Sequence, residues 1–152
     1  MLLTCVARKH YSAGAARSLP TVSTKAAGVY VVVRDEDAAP RWLMPSPVGE
    51  TWHGDPTVSV SALDANWVVG ASVVYIGKAK QEQLRKRLRA YLRFGQGRGG
   101  RHWGGRLIWQ LDDAWQLKVA WRIEAARDAL VVERELLAAF RRAHDQRPPF
   151  CQ

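Results

Sequence analysis

The sequence predicts an α+β fold, an α/β sandwich in which helices pack against a small β-sheet. Two runs of β-branched and aromatic residues, at positions 28–33 and 73–77, are typical of buried strands. Two longer segments, 81–94 and 125–143, repeat apolar residues at the spacing of a helix. Because each helical pattern follows a strand pattern, each helix can cover the sheet that the strands build.

The composition bounds the class of protein. A chain of 152 residues with 47% hydrophobic and 24% charged side chains has the size and balance of one globular domain. We assign residues 28–152 to that free-standing domain and 1–27 to an N-terminal arm. The arm lacks Asp and Glu, and in this it resembles a transit peptide. We favour the other interpretation, a short basic arm on the folded domain.

No apolar run approaches the roughly 20 residues that span a bilayer. Cys5 and Cys151 do not resemble a disulfide framework, and we expect both to be free thiols in a reducing compartment. A cytoplasmic protein without a membrane partner is therefore expected, as a monomer or a homodimer.

The predicted strands enclose a long insertion. The first strand, 28–33, precedes an insertion at 38–71 that holds four of the seven prolines. A loop of this length inside a small domain is usually functional or locally structured. The second strand is 73–77, and the third is 116–123, where apolar and polar residues alternate.

The predicted helices are separated by a glycine-rich segment. The first helix, 81–94, carries an apolar stripe. Residues 95–105 hold six of the twelve glycines and predict a flexible basic loop. Residues 107–111 are apolar and fit a helix or a strand equally well. The second helix, 125–143, stops before two prolines.

The excess positive charge is concentrated in one segment. Residues 78–106 hold ten Lys or Arg and one acid, which accounts for the whole formal net charge of +9. Such a block attracts a phosphate backbone, and the alternative is a solvated basic helix without a partner. The predicted nucleic-acid-binding residues are Arg85, Lys86, Arg89, Arg93, Arg98, Arg101 and Arg106. In the same loop His102 or Trp103 could stack on a base, or the loop could be a linker without a role.

Glu133 lies among apolar residues on the second helix. Counted at about 100° per residue, it falls on the face that also holds Leu137 and Phe140. A carboxylate on an apolar face is costly unless it is paired or binds a metal. The sequence therefore leaves two interpretations of Glu133, a buried partner of an arginine or a metal ligand.

Arg87 lies on the inward face of the first helix, four residues before Tyr91. An arginine held at the edge of a core can give two hydrogen bonds to one phosphate, or it can pair with an acid such as Glu133. Tyr30 and Tyr75 each lie in a strand near a glycine. Their hydroxyls could bind water, or act as a general base if the pKa were lowered; the alternative is a place in the core.

These residues fall into motifs that resemble the GIY-YIG nuclease superfamily. Residues 28–30 read Gly-Val-Tyr and residues 75–77 read Tyr-Ile-Gly. Residues 84–91 resemble the helix that carries that family's arginine, and 129–133 resemble the helix that carries its metal-binding glutamate. The match covers 28–33 and 73–150 in the expected order.

The resemblance implies a three-stranded antiparallel sheet flanked by helices and hydrolysis of DNA phosphodiester bonds with one Mg²⁺ or Mn²⁺ ion. Glu133 would bind the metal, and Arg87 would stabilise charge on the phosphate. The tyrosines of the two triplets would position or activate water. The full set of implied catalytic residues is Tyr30, Tyr75, Lys78, Arg87, Tyr91, Glu133 and Gln152.

Two features depart from the family pattern. The insertion 38–71 is far longer than the usual tight connection and could contact DNA. Gln152 stands where the family usually has an asparagine. The alternatives are therefore a catalytically weak nucleic-acid-binding module of the same fold, RNA in place of DNA, and an interaction protein whose basic helix docks an acidic partner.

Overall fold

The structure is a computed structural model. It describes residues 11–12, 26–35, 37–80, 83–98, 102–124 and 127–151. Arg101 and Gln152, two of the residues predicted to act on nucleic acid, lie outside the described residues, as does most of the N-terminal arm.

An antiparallel sheet forms the centre of the protein. Its strands are β1 (Tyr11–Ser12), β2 (Gly28–Val33), β3 (Val73–Ala79) and β4 (Lys118–Ile123), in the order β1-β4-β2-β3. The three long strands confirm the expected small antiparallel sheet and the α+β class. The two-residue β1 was not expected, and it pairs with β4. Its place at one end of the order leaves β3 as the opposite edge strand.

The central strand β2 is buried on both faces, because alternate side chains of a strand point to opposite sides. Tyr30 and Val32 pack into one core, whereas Val29 packs into another. This two-sided burial explains why the sequence of β2 is a continuous apolar run rather than an alternating one.

Helix α2 (Leu84–Gly95) covers the first of these faces. Leu84, Leu88 and Tyr91 are at most 1% exposed and pack with Tyr30. The predicted helix 81–94 is therefore confirmed in kind, although it begins at Leu84.

Helix α3 (Ala129–His144) covers the opposite face. The Asp128 carboxylate caps it by accepting a 2.8 Å hydrogen bond from the backbone N–H of Leu130, an arrangement worth about 1 kcal/mol. Val132 packs with Val29, and Phe140 packs with Ile76. The described residues contain no helix long and apolar enough to cross a membrane.

The insertion 38–71 is locally structured. It contains helix α1 (Val60–Asn66), whose Leu63 is 1% exposed. The buried side chain of Gln110 ties the insertion to the body of the protein. It accepts a 2.9 Å hydrogen bond from the Val58 N–H and donates to the carbonyls of Val58 and Leu43 at 3.0 and 3.2 Å. Val48 and Leu63 of the insertion are buried in the main core, and Trp42, Val58 and Trp67 pack against it.

The segment that the sequence left undecided lies in a 3-10 helix, Trp103–Gln110, which is interrupted by a kink at Gly105. The expectation of a flexible loop over 95–105 is wrong at both of its ends, because Gly95 and Gly105 are buried. A Cβ at Gly105 would lie 2.5 Å from the His102 ring, so glycine here permits a close contact rather than flexibility.

Candidate active site

A cleft of about 470 Å³ opens between the edge strand β3 and helix α3. Tyr75 and Lys78 line it from β3, and Glu133 lines it from α3. Tyr75 and Lys78 were predicted from the motif on the second strand and Glu133 from the motif on the second helix, and the fold brings all three to one surface. The edge position of β3 explains this, because no further described strand covers that side of Tyr75 and Lys78.

The two sequence triplets are paired in register. Tyr30 of β2 lies opposite Gly77 of β3, and Gly28 lies opposite Ala79. A Cβ at Gly77 would lie 2.5 Å from the Tyr30 ring. Glycine at this position therefore lets the Tyr30 ring lie across the backbone of β3, toward Tyr75.

Glu133 forms an ion pair with Lys78. The side chains are 15% and 29% exposed, so the carboxylate is largely removed from water but still reaches the cleft. The sequence suggested an arginine as the partner of a buried Glu133, and the structure places the Lys78 ammonium group against this carboxylate. A carboxylate on an apolar helix face is tolerated here because the ammonium group compensates its charge.

Behind the cleft, the tyrosines form a buried cluster with His102. The Tyr30 hydroxyl lies 2.7 Å from His102 Nε2. The Tyr75 ring lies 5.9 Å from that of Tyr30 and 5.8 Å from that of His102. Tyr75 therefore belongs both to the cleft and to the cluster, and it connects the two.

The tyrosines are neutral hydrogen-bonding groups in this environment. Burial raises the pKa of Tyr30 well above its ordinary value. The positive charge of Arg87 and its hydrogen bond lower this pKa, but by less than burial raises it. Burial also raises the pKa of Tyr75. A general base needs the opposite shift, so these shifts favour a role in which the tyrosine hydroxyls orient water.

Arg87 lies on the inward-facing side of α2, as the helical spacing predicted. Its side chain is half-buried, and its charge acts on the pKa of Tyr30, Tyr75 and His102. The guanidinium therefore belongs to the cluster and not to the solvated side of α2.

Tyr91 is 0% exposed, and burial raises the pKa of its hydroxyl. Its ring packs against those of His102 and Trp109, with centroids 5.3 and 4.8 Å away. In this structure the Tyr91 ring packs edge-on against the imidazole of His102. A contact between Tyr91 and phosphate stays a prediction.

The predicted nucleic-acid-binding residues are spread over the surface of α2 and the following loop. Lys86, Arg89, Arg93 and Arg98 are exposed, and Arg85 is half-buried. Arg106 stacks on the Trp103 ring at 4.8 Å and donates to the Trp103 carbonyl at 3.2 Å. Because α2 and α3 cover opposite faces of the sheet, this basic surface lies on the other side of the sheet from α3.

His102 is the residue that the sequence placed wrongly. It is 0% exposed and cannot stack on a base. Burial, and then the charge of Arg87, lowers the pKa of His102 to about 3, so the imidazole is neutral. A histidine among glycines carries no sequence signal for burial, and only the fold shows that it contacts the tyrosines.

Within the described residues, no three His, Cys, Asp or Glu side chains cluster as a preformed metal cage. Among the described residues that line the cleft, Glu133 is the one carboxylate, and Lys78 contacts its Oε2 atom. A carboxylate fits a hard divalent cation that keeps water and phosphate oxygens as its other ligands. The donor set is therefore compatible with one Mg²⁺ or Mn²⁺ held by one protein ligand.

Comparison of the chain with protein-family models, with curated proteins and with solved structures finds no match. The functional assignment therefore depends on the geometry of the cleft and on the motifs that build it.

Proposed function

We propose that this protein is a metal-dependent DNA endonuclease of the GIY-YIG type. The observation that carries the proposal is the convergence of Tyr75, Lys78 and Glu133 on one cleft. A carboxylate can bind a cation, an ammonium group can bind a phosphate, and a phenol can hydrogen-bond a water molecule. The in-register pairing of the two triplets on β2 and β3 supports the same assignment.

The chain's own residues would divide the work as follows. The Tyr75 hydroxyl, which lines the cleft, orients the attacking water by a hydrogen bond. Tyr30 holds Tyr75 in place from the cluster behind it. Lys78 and Arg87 supply positive charge for the phosphate. Hydrolysis consumes one water, breaks one P–O bond and leaves a phosphate monoester and a hydroxyl on the two DNA ends.

Glu133 would hold Mg²⁺ or Mn²⁺ through its carboxylate. The bound ion would supply Lewis-acid stabilisation of the negative charge that develops on the phosphate. The ammonium group of Lys78 also keeps the carboxylate oriented toward the cleft, so the carboxylate is in position before the cation binds.

Nicking of supercoiled plasmid DNA tests the proposal. We expect cleavage with Mg²⁺ or Mn²⁺ and none with EDTA. Arg87→Gln should lower the rate by about 100-fold or more, since removal of one charge-stabilising donor typically costs about that factor. Arg142 is exposed on α3, and Arg142→Gln removes the same charge as Arg87→Gln. This control should leave the rate within about threefold of the unaltered protein.

A second candidate function is a nucleic-acid-binding module without catalysis. The Lys78–Glu133 ion pair favours it, because the pair already neutralises the one carboxylate of the cleft. Gln152 in place of the family's asparagine points the same way. Salt-sensitive DNA binding with no cleavage under either metal would decide for this module and against the endonuclease. Labelled RNA of the same sequence distinguishes the two nucleic acids in both assays.

A further inference from the structure

Three arginines line the same cleft as Glu133. Arg134 and Arg141 come from α3, and Arg147 comes from the segment that follows it. The sequence did not single them out, because the excess charge of the chain is concentrated in residues 78–106. The fold nevertheless carries these three guanidinium groups to the wall of the candidate active site.

Their charges are uncompensated within the part of the chain that the structure describes. Two exposed arginines outside the cleft do have acidic partners, since Arg41 pairs with Asp112 and Arg127 with Glu135. The cleft holds one acid, Glu133, and Lys78 already neutralises it. A concave surface with excess charge of one sign focuses the field and attracts the opposite charge, so the cleft favours an anion with several charges.

The spacing of the arginines suits an extended anion. Arg134 and Arg141 are seven residues apart, so they share one face of α3. Seven residues rise about 10 Å along a helix. One DNA strand advances about 3.4 Å per nucleotide along its axis, so this row spans about three nucleotide steps. Guanidinium groups are also well shaped to bind phosphate oxygens in pairs.

We propose that Arg134, Arg141 and Arg147 bind the phosphodiester backbone of the DNA strand beside the phosphate that is cut. The proposal rests on the endonuclease function and adds the path of the substrate strand, which runs along α3 at the outer edge of β3. It also assigns the basic surface of α2, on the other face of the sheet, to a separate and more distant contact.

The test measures binding of a labelled DNA duplex in EDTA, over salt from about 50 to about 200 mM. One variant combines Arg134→Gln, Arg141→Gln and Arg147→Gln. Its matched control combines Arg41→Gln, Arg127→Gln and Arg142→Gln, which removes the same charge from exposed positions outside the cleft. All six side chains are exposed, and circular dichroism checks that both variants are folded.

We expect the cleft variant to bind at least about tenfold more weakly at the lower salt concentration. Its slope of log affinity against log salt should fall by about 2 to 3, at about 0.9 per lost phosphate contact, while the control slope falls by less than about 1. Restoring charge with three lysines should recover most of the slope but not the affinity, because lysine cannot form paired hydrogen bonds.

Two results overturn the inference while leaving the endonuclease proposal intact. One is an equal effect in both variants, which would mean general attraction; the other is metal-dependent cleavage by a cleft variant that binds DNA as the unaltered protein does. Failure of the unaltered protein to bind or cut DNA would overturn the endonuclease function and, with it, this inference.

Discussion

His102 and Tyr30 share a 2.7 Å hydrogen bond at the centre of the candidate site, and both are at most 1% exposed. Their burial has a consequence for stability, because the folded state cannot readily accept a proton on His102. Burial and the charge of Arg87 lower the pKa of this histidine from its ordinary 6.5 to about 3. In the unfolded chain the imidazole takes up a proton near pH 6.5.

The free energy of unfolding should therefore fall as the pH falls through the window between these two pKa values. Within it the unfolded state binds one proton more than the folded state, so stability rises with pH by up to about 1.4 kcal/mol per unit. Between about pH 7 and about pH 5 the loss from His102 is up to about 2 kcal/mol. Urea unfolding at several pH values measures it.

The variant His102→Gln isolates this contribution, because glutamine keeps a hydrogen-bonding group toward Tyr30 but does not titrate. We expect its unfolding free energy to depend less steeply on pH below about 6.5 than that of the unaltered protein. Equal slopes in the two proteins would show that His102 is accessible to protons, against the burial described here.

Among single residues, the sequence predicted Glu133 better than its partner. Helical spacing alone identifies a carboxylate on an apolar face, because that conflict is local. The ion pair with Lys78 joins residues 55 positions apart, and no local pattern contains such information. His102 was misplaced for the same reason, since its neighbours are set by the fold of the glycine-rich segment.

At the scale of elements, one buried side chain makes three of the hydrogen bonds that hold the long insertion. Gln110 is 0% exposed, and its carboxamide satisfies both backbone groups of Val58 and the carbonyl of Leu43. These hydrogen bonds are partly buried, and an unsatisfied buried donor or acceptor costs about 1 to 3 kcal/mol. The insertion therefore depends on a contact made by the 3-10 helix Trp103–Gln110.

Gln110→Met should lower the free energy of unfolding by about 2 to 4 kcal/mol, because it keeps the volume but leaves these backbone groups without their partner. Gln116→Met is the matched control at an exposed position, with an expected change within about 0.5 kcal/mol. Urea unfolding curves of both variants provide the comparison. A loss for Gln110→Met no larger than that of the control would contradict the role given to this side chain.

Long, strongly periodic elements were predictable from the sequence, and irregular ones were not. The strands at 28–33 and 73–79 and the helices α2 and α3 follow from apolar spacing, with ends displaced by a few residues. Residues 103–110 form a 3-10 helix, and a segment this short fits several periods. The strand β1 consists of two residues, too few to produce any pattern.

For the whole molecule, the distribution of charge around the sheet matters more than the net charge. The basic residues of α2 and the arginines of α3 lie on elements that cover opposite faces. The sequence located the first group because it is contiguous. The cleft residues Arg134, Arg141 and Arg147 are six or seven positions apart and become a surface only when α3 packs beside β3.

The central claim is that Glu133 acts in the cleft as the ligand of a divalent cation during DNA cleavage. The most direct test is the single-turnover rate of DNA cleavage in Mg²⁺, compared between Glu133→Gln and Glu135→Gln. Both changes remove one carboxylate from α3 and one ion pair, with Lys78 in the first case and Arg127 in the second. Only Glu133 lines the cleft.

We expect Glu133→Gln to lower this rate by about 1000-fold or more, since loss of the metal ligand removes several kcal/mol of charge stabilisation. Glu135→Gln should cleave within about threefold of the unaltered protein. Cleavage by Glu133→Gln at the rate of the Glu135→Gln control, with both variants folded, would contradict the claim that this cleft is the site of metal-dependent hydrolysis.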